Sequence, residues 1–196
     1  VTQSGGTTFS STVNAATVTL TATTGTITFT GALTAGTLNT ATAGYNVAIN
    51  GGGTITNAVT FSNTGTLTLA GTTAFTGGVT ATSPSSRTIN GTVSAAGTGV
   101  INLGTVSITG TSTIGGTSTG QITLGNATLA DGVTLTVGAG AATPISLGTV
   151  NGSAGTPNLT INTTGTVSVG AVGSTIGIVT ISQSAGTTFS STGNAA

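Results

Sequence analysis

Hydroxyl groups are the only side-chain groups of this sequence that are both abundant and chemically active. The 196 residues include 52 Thr and 19 Ser. A Ser or Thr nucleophile needs a neighbouring base, and the sequence contains no His, no Lys and no Glu. Asp131 is the only acidic residue and Arg87 the only basic one, so a pair of catalytic carboxylates is excluded. The sequence therefore predicts no catalytic residue and a protein that is not an enzyme.

Metal and cofactor sites lack their usual ligands as well. Zinc needs His or Cys, and calcium-binding solenoid repeats need a recurring Asp, which this sequence does not contain. The glycines at 51–53 are not followed by the Lys of a phosphate-binding loop, so they are interpreted as a corner turn. Asp131 and Arg87 are interpreted as solvated corner charges, with Asp131 and Gly132 forming a turn. We expect no metal and no cofactor.

Five asparagines begin the triplet Asn-x-Ser/Thr that marks glycosylation acceptors. Because Ser and Thr are so frequent, about as many of the 13 asparagines are expected to match by chance. No modification is inferred from them. They are Asn90, Asn126, Asn151, Asn158 and Asn162.

The near absence of charge limits the possible partners. Nucleic-acid binding needs several Lys or Arg against the phosphates, so nucleic acid is not expected as a partner. No run approaches the length of an apolar spanning helix, about 18 residues, so we expect no membrane span in this segment. Without cysteine, stability has to come from packing and hydrogen bonds. Disorder is disfavoured, because disordered chains usually carry high net charge and few β-branched residues.

Alternation of apolar and hydroxyl residues is the main local pattern. It appears in TVTLT at 17–21, TITFT at 26–30, VTLTV at 133–137 and TVSV at 166–169. A period of two is typical of strands with one dry and one wet face. Helix is disfavoured because Gly, Thr and Val are dense and the good helix formers Glu, Lys and Met are absent. The sequence predicts an all-β protein.

The start of the sequence returns near its end. Residues 2–16, TQSGGTTFSSTVNAA, reappear at 182–196 as SQSAGTTFSSTGNAA. Chance does not account for this match. Residues 1–180 are therefore interpreted as one period and residues 181–196 as the start of the next, within a longer tandem array or a continuous fibre.

A shorter spacing of about 20 residues divides this period. Segments of an aliphatic strand, a glycine and a second strand start at Ile101, Ile122, Ile145 and Val167. Such short units predict a right-handed parallel β-solenoid of about 20 residues per coil and about nine coils per period. The stretch from Leu67 to Ile101 fits this spacing poorly.

Corners and ends have their own expected features. Gly, Asn and Ser should supply the positive-φ and tight-turn corners. Pro84, Pro144 and Pro157 should lie at corners, because a ladder position would lose its hydrogen-bond donor. The phenylalanines should fill the core. We expect each end of the rod to be covered by more of the same chain or by another subunit.

Rows of threonine support an alternative. Thr17, Thr19 and Thr21 resemble the Thr-x-Thr ranks of ice-binding β-solenoids. The array is expected to break, because Ala48 stands where the coil after Thr28 would need a threonine. Later coils place other residues in the expected rank, namely Asn102, Ser146 and Ser168. Ice binding is therefore the third-ranked function.

The segments TGTITFTGALTAGTL and ITLGNATLADGVTLTVG resemble repeat regions of bacterial surface proteins of the filamentous haemagglutinin and autotransporter-adhesin kind. The resemblance covers nearly the whole sequence and rests on style of composition, without an invariant motif. It implies an extracellular or cell-surface β-solenoid from a bacterium. The expected function is a structural segment of a fibre that associates with itself, end to end and laterally. The first alternative is the stalk of a large adhesin.

Overall fold

The computed structural model describes residues 5–21 and 24–189, and every regular element in these ranges is a β-strand. The parts of the sequence repeat at 1–4 and 190–196 lie outside the described residues. The nineteen strands are β1 Thr7–Phe9, β2 Val13–Leu20, β3 Thr26–Phe29, β4 Leu33–Thr40, β5 Asn46–Ile49, β6 Gly53–Ile55, β7 Val59–Thr60, β8 Thr66–Phe75, β9 Gly78–Thr80, β10 Ser86–Ala95, β11 Val100–Ile108, β12 Ser112–Gly116, β13 Ile122–Leu129, β14 Thr134–Val137, β15 Ile145–Gly152, β16 Asn158–Thr163, β17 Val167–Val172, β18 Ile178–Gln183 and β19 Thr187–Phe189.

The strands form three parallel ladders, which the chain visits in the order A, B, C in every coil. Ladder A contains β1, β3, β5, the starts of β8 and β10, and the ends of β11, β13, β15 and β17. Ladder B contains the starts of β2 and β4, then β6, the ends of β8 and β10, and β12, β14, β16 and β18. Ladder C contains the ends of β2 and β4, then β7, β9, the starts of β11, β13, β15 and β17, and β19.

Each ladder has nine rungs, so the described chain makes nine coils. In the first coils the sequence step between rungs is 20, as between Thr26 and Asn46. The step grows later, reaching 24 between Thr134 and Asn158. At about 4.8 Å per rung the nine coils extend for about 43 Å. The predicted all-β solenoid of about nine coils is confirmed, and the length of its coils is close to the predicted one.

The core is a set of apolar columns that run through the stacked coils. Inward residues of consecutive rungs lie on one another, as Val47 does on Leu67 in ladder A, and both are fully buried. Two ring pairs link coils or ladders. Phe9 and Phe29 stack with ring centroids 5.0 Å apart, and Phe61 meets Phe75 edge-on at 6.0 Å. Burial of each such side chain contributes about 1.5–3 kcal/mol, so stability is distributed along the whole rod.

The corners are made by glycine and proline. Pro84, Pro144 and Pro157 all lie outside strands, as predicted. Every positive φ among the described residues belongs to a glycine. The expectation that Asn and Ser would supply positive-φ corners is therefore wrong. Their side chains act through hydrogen bonds, described below.

The stretch from Leu67 to Ile101 is regular, although its sequence spacing is not. Strands β8 and β10 pair over nine positions and each turns from ladder A into ladder B without a break. The turns are at Gly71 and Gly91, with φ of 69° and 142°. In β11, β13, β15 and β17 the glycine-linked segment runs from ladder C into ladder A instead. The two groups of segments therefore mark different corners of the coil, which explains why their sequence spacing does not match.

Substitutions at Gly91 and Gly97 separate two contributions to the free energy of unfolding. One is the steric clash of a Cβ with the neighbouring coil, and the other is the strain of a positive φ in a residue with a side chain. A Cβ at Gly91 would lie 2.0 Å from the carbonyl oxygen of Gly71, whereas at Gly97, φ 61°, it would meet nothing within 4 Å. We expect Gly97→Ala to lower the free energy of unfolding by about 1–2 kcal/mol. Gly91→Ala should cost more than about 3 kcal/mol. Equilibrium urea unfolding measures both, and equal losses would contradict the tight fit at Gly91.

Candidate functional surfaces

Arg87 is not the solvated corner charge that its sequence context predicts. It lies in β10 opposite Leu67, in an inward column of ladder A, and is partly buried. Its guanidinium turns back to the corner and donates to three carbonyls: Nε to Thr105 at 2.8 Å, Nη1 to Thr82 at 3.3 Å, and Nη1 to Pro84. Burial lowers the pKa of the guanidinium from its ordinary value. Arg87 therefore links the corner residues Thr82 and Pro84 to Thr105 of the next coil.

Asp131 lies in the predicted turn. It is exposed, between β13 and β14, and Gly132 follows it with a φ of 68°. Its Oδ1 accepts a hydrogen bond from the backbone N–H of Thr156 at 3.2 Å, one coil later. Asp131 thus holds two successive corners together.

The three glycines at 51–53 form a corner, as predicted. Gly52 and Gly53 have φ of 66° and 135°, and β6 begins at Gly53. A Cβ at Gly53 would lie 2.0 Å from the carbonyl oxygen of Leu33 in the coil before. The absence of side chains therefore lets two coils approach each other.

The asparagines of the Asn-x-Ser/Thr triplets lie in strands. All five are on strands β10, β13, β15 and β16. Asn126 links two coils, because its Oδ1 accepts a hydrogen bond from the backbone N–H of Thr149 at 3.0 Å. Asn46 does the same on ladder A: its Oδ1 accepts from Thr66 N–H at 2.8 Å, and its Nδ2 donates to Thr26 Oγ1 at 3.2 Å. Outward Asn side chains therefore link neighbouring coils.

A second set of polar side chains stacks inside the corner between ladders B and C. Ser118 Oγ donates to the carbonyl of Gly99 at 2.6 Å, and Thr143 Oγ1 donates to the carbonyl of Ser118. Thr163 Oγ1 lies 2.9 Å from the carbonyl of Ala141 and 2.5 Å from that of Thr143. In the last coil Gln183 Nε2 donates to the carbonyl of Gly165 at 3.0 Å.

We call Ser118, Thr143, Thr163 and Gln183 the corner stack. Ser118, Thr143 and Thr163 are 4%, 2% and 2% exposed. Each member reaches back to the coil before it and donates to a corner carbonyl, and the carbonyl of Ala141 also accepts from the backbone N–H of Thr164 at 3.0 Å. No sequence signal distinguishes these residues, because buried and solvated hydroxyls look alike among 52 Thr and 19 Ser.

The corner between ladders C and A holds larger buried groups in the early coils. Tyr45 is fully buried and donates to the carbonyl of Leu20 at 3.1 Å. Burial raises the pKa of its hydroxyl. Asn63, also fully buried, donates to the carbonyls of Tyr45 and Thr66 at 3.1 and 3.2 Å. Buried side-chain donors therefore supplement backbone hydrogen bonds at this corner, where the carbonyl of Leu20 also accepts from the N–H of Ala41 at 2.9 Å.

Ladder B carries an unbroken outward file of threonine. The pairing registers align one Thr per coil over six consecutive coils. We call this set the threonine file: Thr72, Thr92, Thr113, Thr136, Thr160 and Thr180. Asn102, Ser146 and Ser168 lie on ladder C, whereas Thr28 lies on ladder A. The prediction places these four residues in one row of threonine positions, and the structure divides them between two ladders. The predicted interruption of the Thr28 row by Ala48 is present.

The last coil leaves apolar side chains uncovered. Val179 and Ile181 of β18 are 41% and 37% exposed, and Phe189 of β19 is 45% exposed. Their partners one coil earlier are 0% exposed, namely Leu159, Ile161 and Val169. The uncovered end is thus an apolar layer edged by unpaired strands. Four of the five large apolar side chains that are exposed among the described residues lie in β18 and β19.

No protein-family model matches this chain, and neither does any curated protein or solved structure. Within 5–21 and 24–189 there is no helix of the length and apolarity needed to cross a membrane.

Thr163 and Thr160 provide a matched test of the corner stack. Thr163→Val keeps the shape of the side chain but removes the hydroxyl that donates to the carbonyl of Thr143 and accepts from the N–H of Gly165 at 2.9 Å. We expect a loss of about 1–3 kcal/mol in the free energy of unfolding. Thr160→Val, on the outward side of the same strand, should change it by less than about 0.5 kcal/mol. Urea unfolding measures both variants, and equal values would argue against the stack.

Proposed function

We propose that this chain is a structural segment of a fibre in which coils continue from one sequence period to the next. The observation that supports this most directly is the uncovered end. Its inward residues, Val179, Ile181 and Phe189, repeat the apolar pattern of the coils beneath them. At the same place the sequence begins again with SQSAGTTFSSTGNAA. A further period of the same chain is therefore the cover that fits this layer.

The energetics favour such a cover. Burying the exposed parts of these three side chains would contribute about 2–4 kcal/mol. A new rung on each ladder would also pair the open edges of β17, β18 and β19, which otherwise form templates for uncontrolled association. No charged residue lies in β18 or β19 to oppose this. Elongation by more of the same chain thus satisfies both the apolar layer and the strand edges.

The proposed setting is extracellular or on a bacterial cell surface. Support comes from the resemblance to adhesin repeat regions and from a composition with one acid and one basic residue. A rod with so little charge responds weakly to ionic strength. Its mechanism is mechanical: reach and stiffness, with lateral contacts made by Thr, Ser and Asn. The alternative is an adhesin stalk, for which imaging should show single anchored rods with a distinct tip in place of bundled bare filaments.

Charges on the uncovered end should stop elongation. Val179→Lys and Ile181→Lys each place an ammonium where the next coil would dock, and burying it unpaired is costly. We expect either variant to lower the mean filament length at least about tenfold, as measured by electron microscopy of negatively stained samples. The matched control is Thr180→Lys on the same strand, whose side chain points outward. If all three variants form filaments as long as those of the unchanged chain, the uncovered end is not the site of elongation.

The threonine file favours ice binding as a second candidate function. It places six hydroxyl and methyl groups in line at about 4.8 Å spacing on one ladder. If the file orders water against ice, the chain should show thermal hysteresis, and Thr136→Lys in the centre of the file should abolish most of it. Thr128→Lys on ladder A is the control. Absence of hysteresis in the unchanged chain would exclude this candidate and leave the fibre proposal intact.

A further inference from the structure

The two copies of the repeated segment lie on different ladders. Thr7–Phe9 is the first rung of ladder A, paired with β3. Thr187–Phe189, the same three residues at the start of the next period, is the ninth rung of ladder C, paired with β17. From one copy to the next the chain therefore makes eight coils and two of the three ladder steps of another coil.

The lengthening of the later coils accounts for this offset. If every step were as short as that from Thr7 to Ile27, nine coils would return Thr187 to ladder A. The steps from Gly78 to Val100 and from Ile122 to Ile145 are longer. Most of the additional residues lie between ladders A and B. Leu69 precedes Thr73 by four residues there, whereas Gly152 precedes Ile161, its equivalent four coils later, by nine. The corner between ladders B and C gains two residues in three of the coils, and side chains of the corner stack donate to carbonyls there. The 180 residues of one period therefore end one ladder short of nine complete coils.

The repeated segment packs on similar inward residues on ladder C and on ladder A. On ladder A, Thr7 and Phe9 lie against Ile27 and Phe29. On ladder C, Thr187 and Phe189 lie against Val167 and Val169, two buried aliphatic residues at the same alternation. Apart from Arg87 on ladder A and a few buried hydroxyl residues such as Thr73 on ladder B, the inward columns are aliphatic or aromatic. A strand that fits one ladder can therefore fit another.

We propose that successive periods are set back by a third of a turn, so that each new period begins on the ladder before the one on which the last began. Three periods, or 26 coils, then restore the original ladder. The true axial repeat would be about 125 Å, in place of about 43 Å for periods of nine whole coils. This inference rests on the proposed fibre and specifies its symmetry.

The consequence concerns lateral contacts. Any feature of one ladder, the threonine file included, would occur on all three ladders in turn along the fibre. Each fibre would then present the same sequence of surfaces in three directions about 120° apart. Such a fibre can associate with like neighbours on every side, and a fibre of whole-coil periods would associate through one preferred face.

Paired cysteines in the chain test the offset without requiring fibres, because the sequence contains no other cysteine. Ser168 and Thr188 are direct partners on ladder C, so Ser168→Cys with Thr188→Cys should form a disulfide readily. In whole-coil stacking Thr188 would instead continue the ladder A column that begins at Thr8. That column passes through Thr28, Ala48, Thr68, Thr88, Ser107, Thr128 and Asn151, and its ninth member is Gly173. Thr188 would then lie beside Gly173. We expect disulfide formation at least about tenfold slower for Gly173→Cys with Thr188→Cys.

Thr8→Cys with Thr28→Cys is the matched positive control, since it joins the same repeated residue to its partner on ladder A. Electrophoresis without reductant separates the oxidised and reduced forms. Rapid oxidation of the Gly173 pair with little oxidation of the Ser168 pair would overturn the inference, whether or not fibres form.

Labelled fibres test the symmetry itself. Thr128 is exposed on ladder A, so a gold-labelled Thr128→Cys variant marks one side of each period. Electron microscopy should show labels about 42 Å apart, each turned by about 120° from the last. Labels in one line at about 43 Å would overturn the third-turn offset while supporting the fibre. A chain that forms no fibres would contradict the proposed function, and the disulfide result would then decide the offset alone.

Discussion

The structure depends on one constraint: a coil of this chain is stable only with another coil on it. Ordering a residue costs about 1–2 kcal/mol of backbone entropy, and a single coil has too few inward side chains to offset this alone. Stacking buries both faces of each apolar layer and pairs every strand edge. The fully buried columns of the inner coils and the half-exposed Val179, Ile181 and Phe189 of the last coil are two outcomes of the same requirement.

The ladders fix the positions of the strands, and differences in coil length are accommodated at the corners. Ladder positions must match from coil to coil, whereas corner length is free to vary if the unpaired carbonyls find donors. Short corners use glycines whose missing Cβ allows backbones to approach, as at Gly91. Long corners use buried hydroxyl donors, such as Thr163, whose Oγ1 lies 2.5 Å from the carbonyl oxygen of Thr143. The coil step can therefore lengthen along the rod while the strands stay paired, with one irregularity of register at Gly104 between β11 and β13.

The features that follow from periodicity were predictable from the sequence. Alternation identified the strands, the short spacing between glycine-linked segments indicated the coils, and the missing donor placed the prolines at corners. What depends on three dimensions was not predictable. The inward position of Arg87 was missed because charge suggests solvent, and only the register with Leu67 reveals the column. The ladder of each Thr was missed because corner lengths vary, so equal spacing in sequence does not mean the same ladder.

The sequence period does not correspond to a whole number of coils, because the two are set by different features of the chain. The period of the repeat is a property of the sequence, and the number of coils it fills is set by the corners. Nothing requires the two to agree, because the inward columns of all three ladders are mainly apolar and a strand of alternating pattern can continue on any of them. A solenoid with specialised ladders would have to close each period in whole coils. This chain, with apolar columns inside and hydroxyl and amide groups outside on every ladder, has no such requirement, and its surface features can wind around the rod.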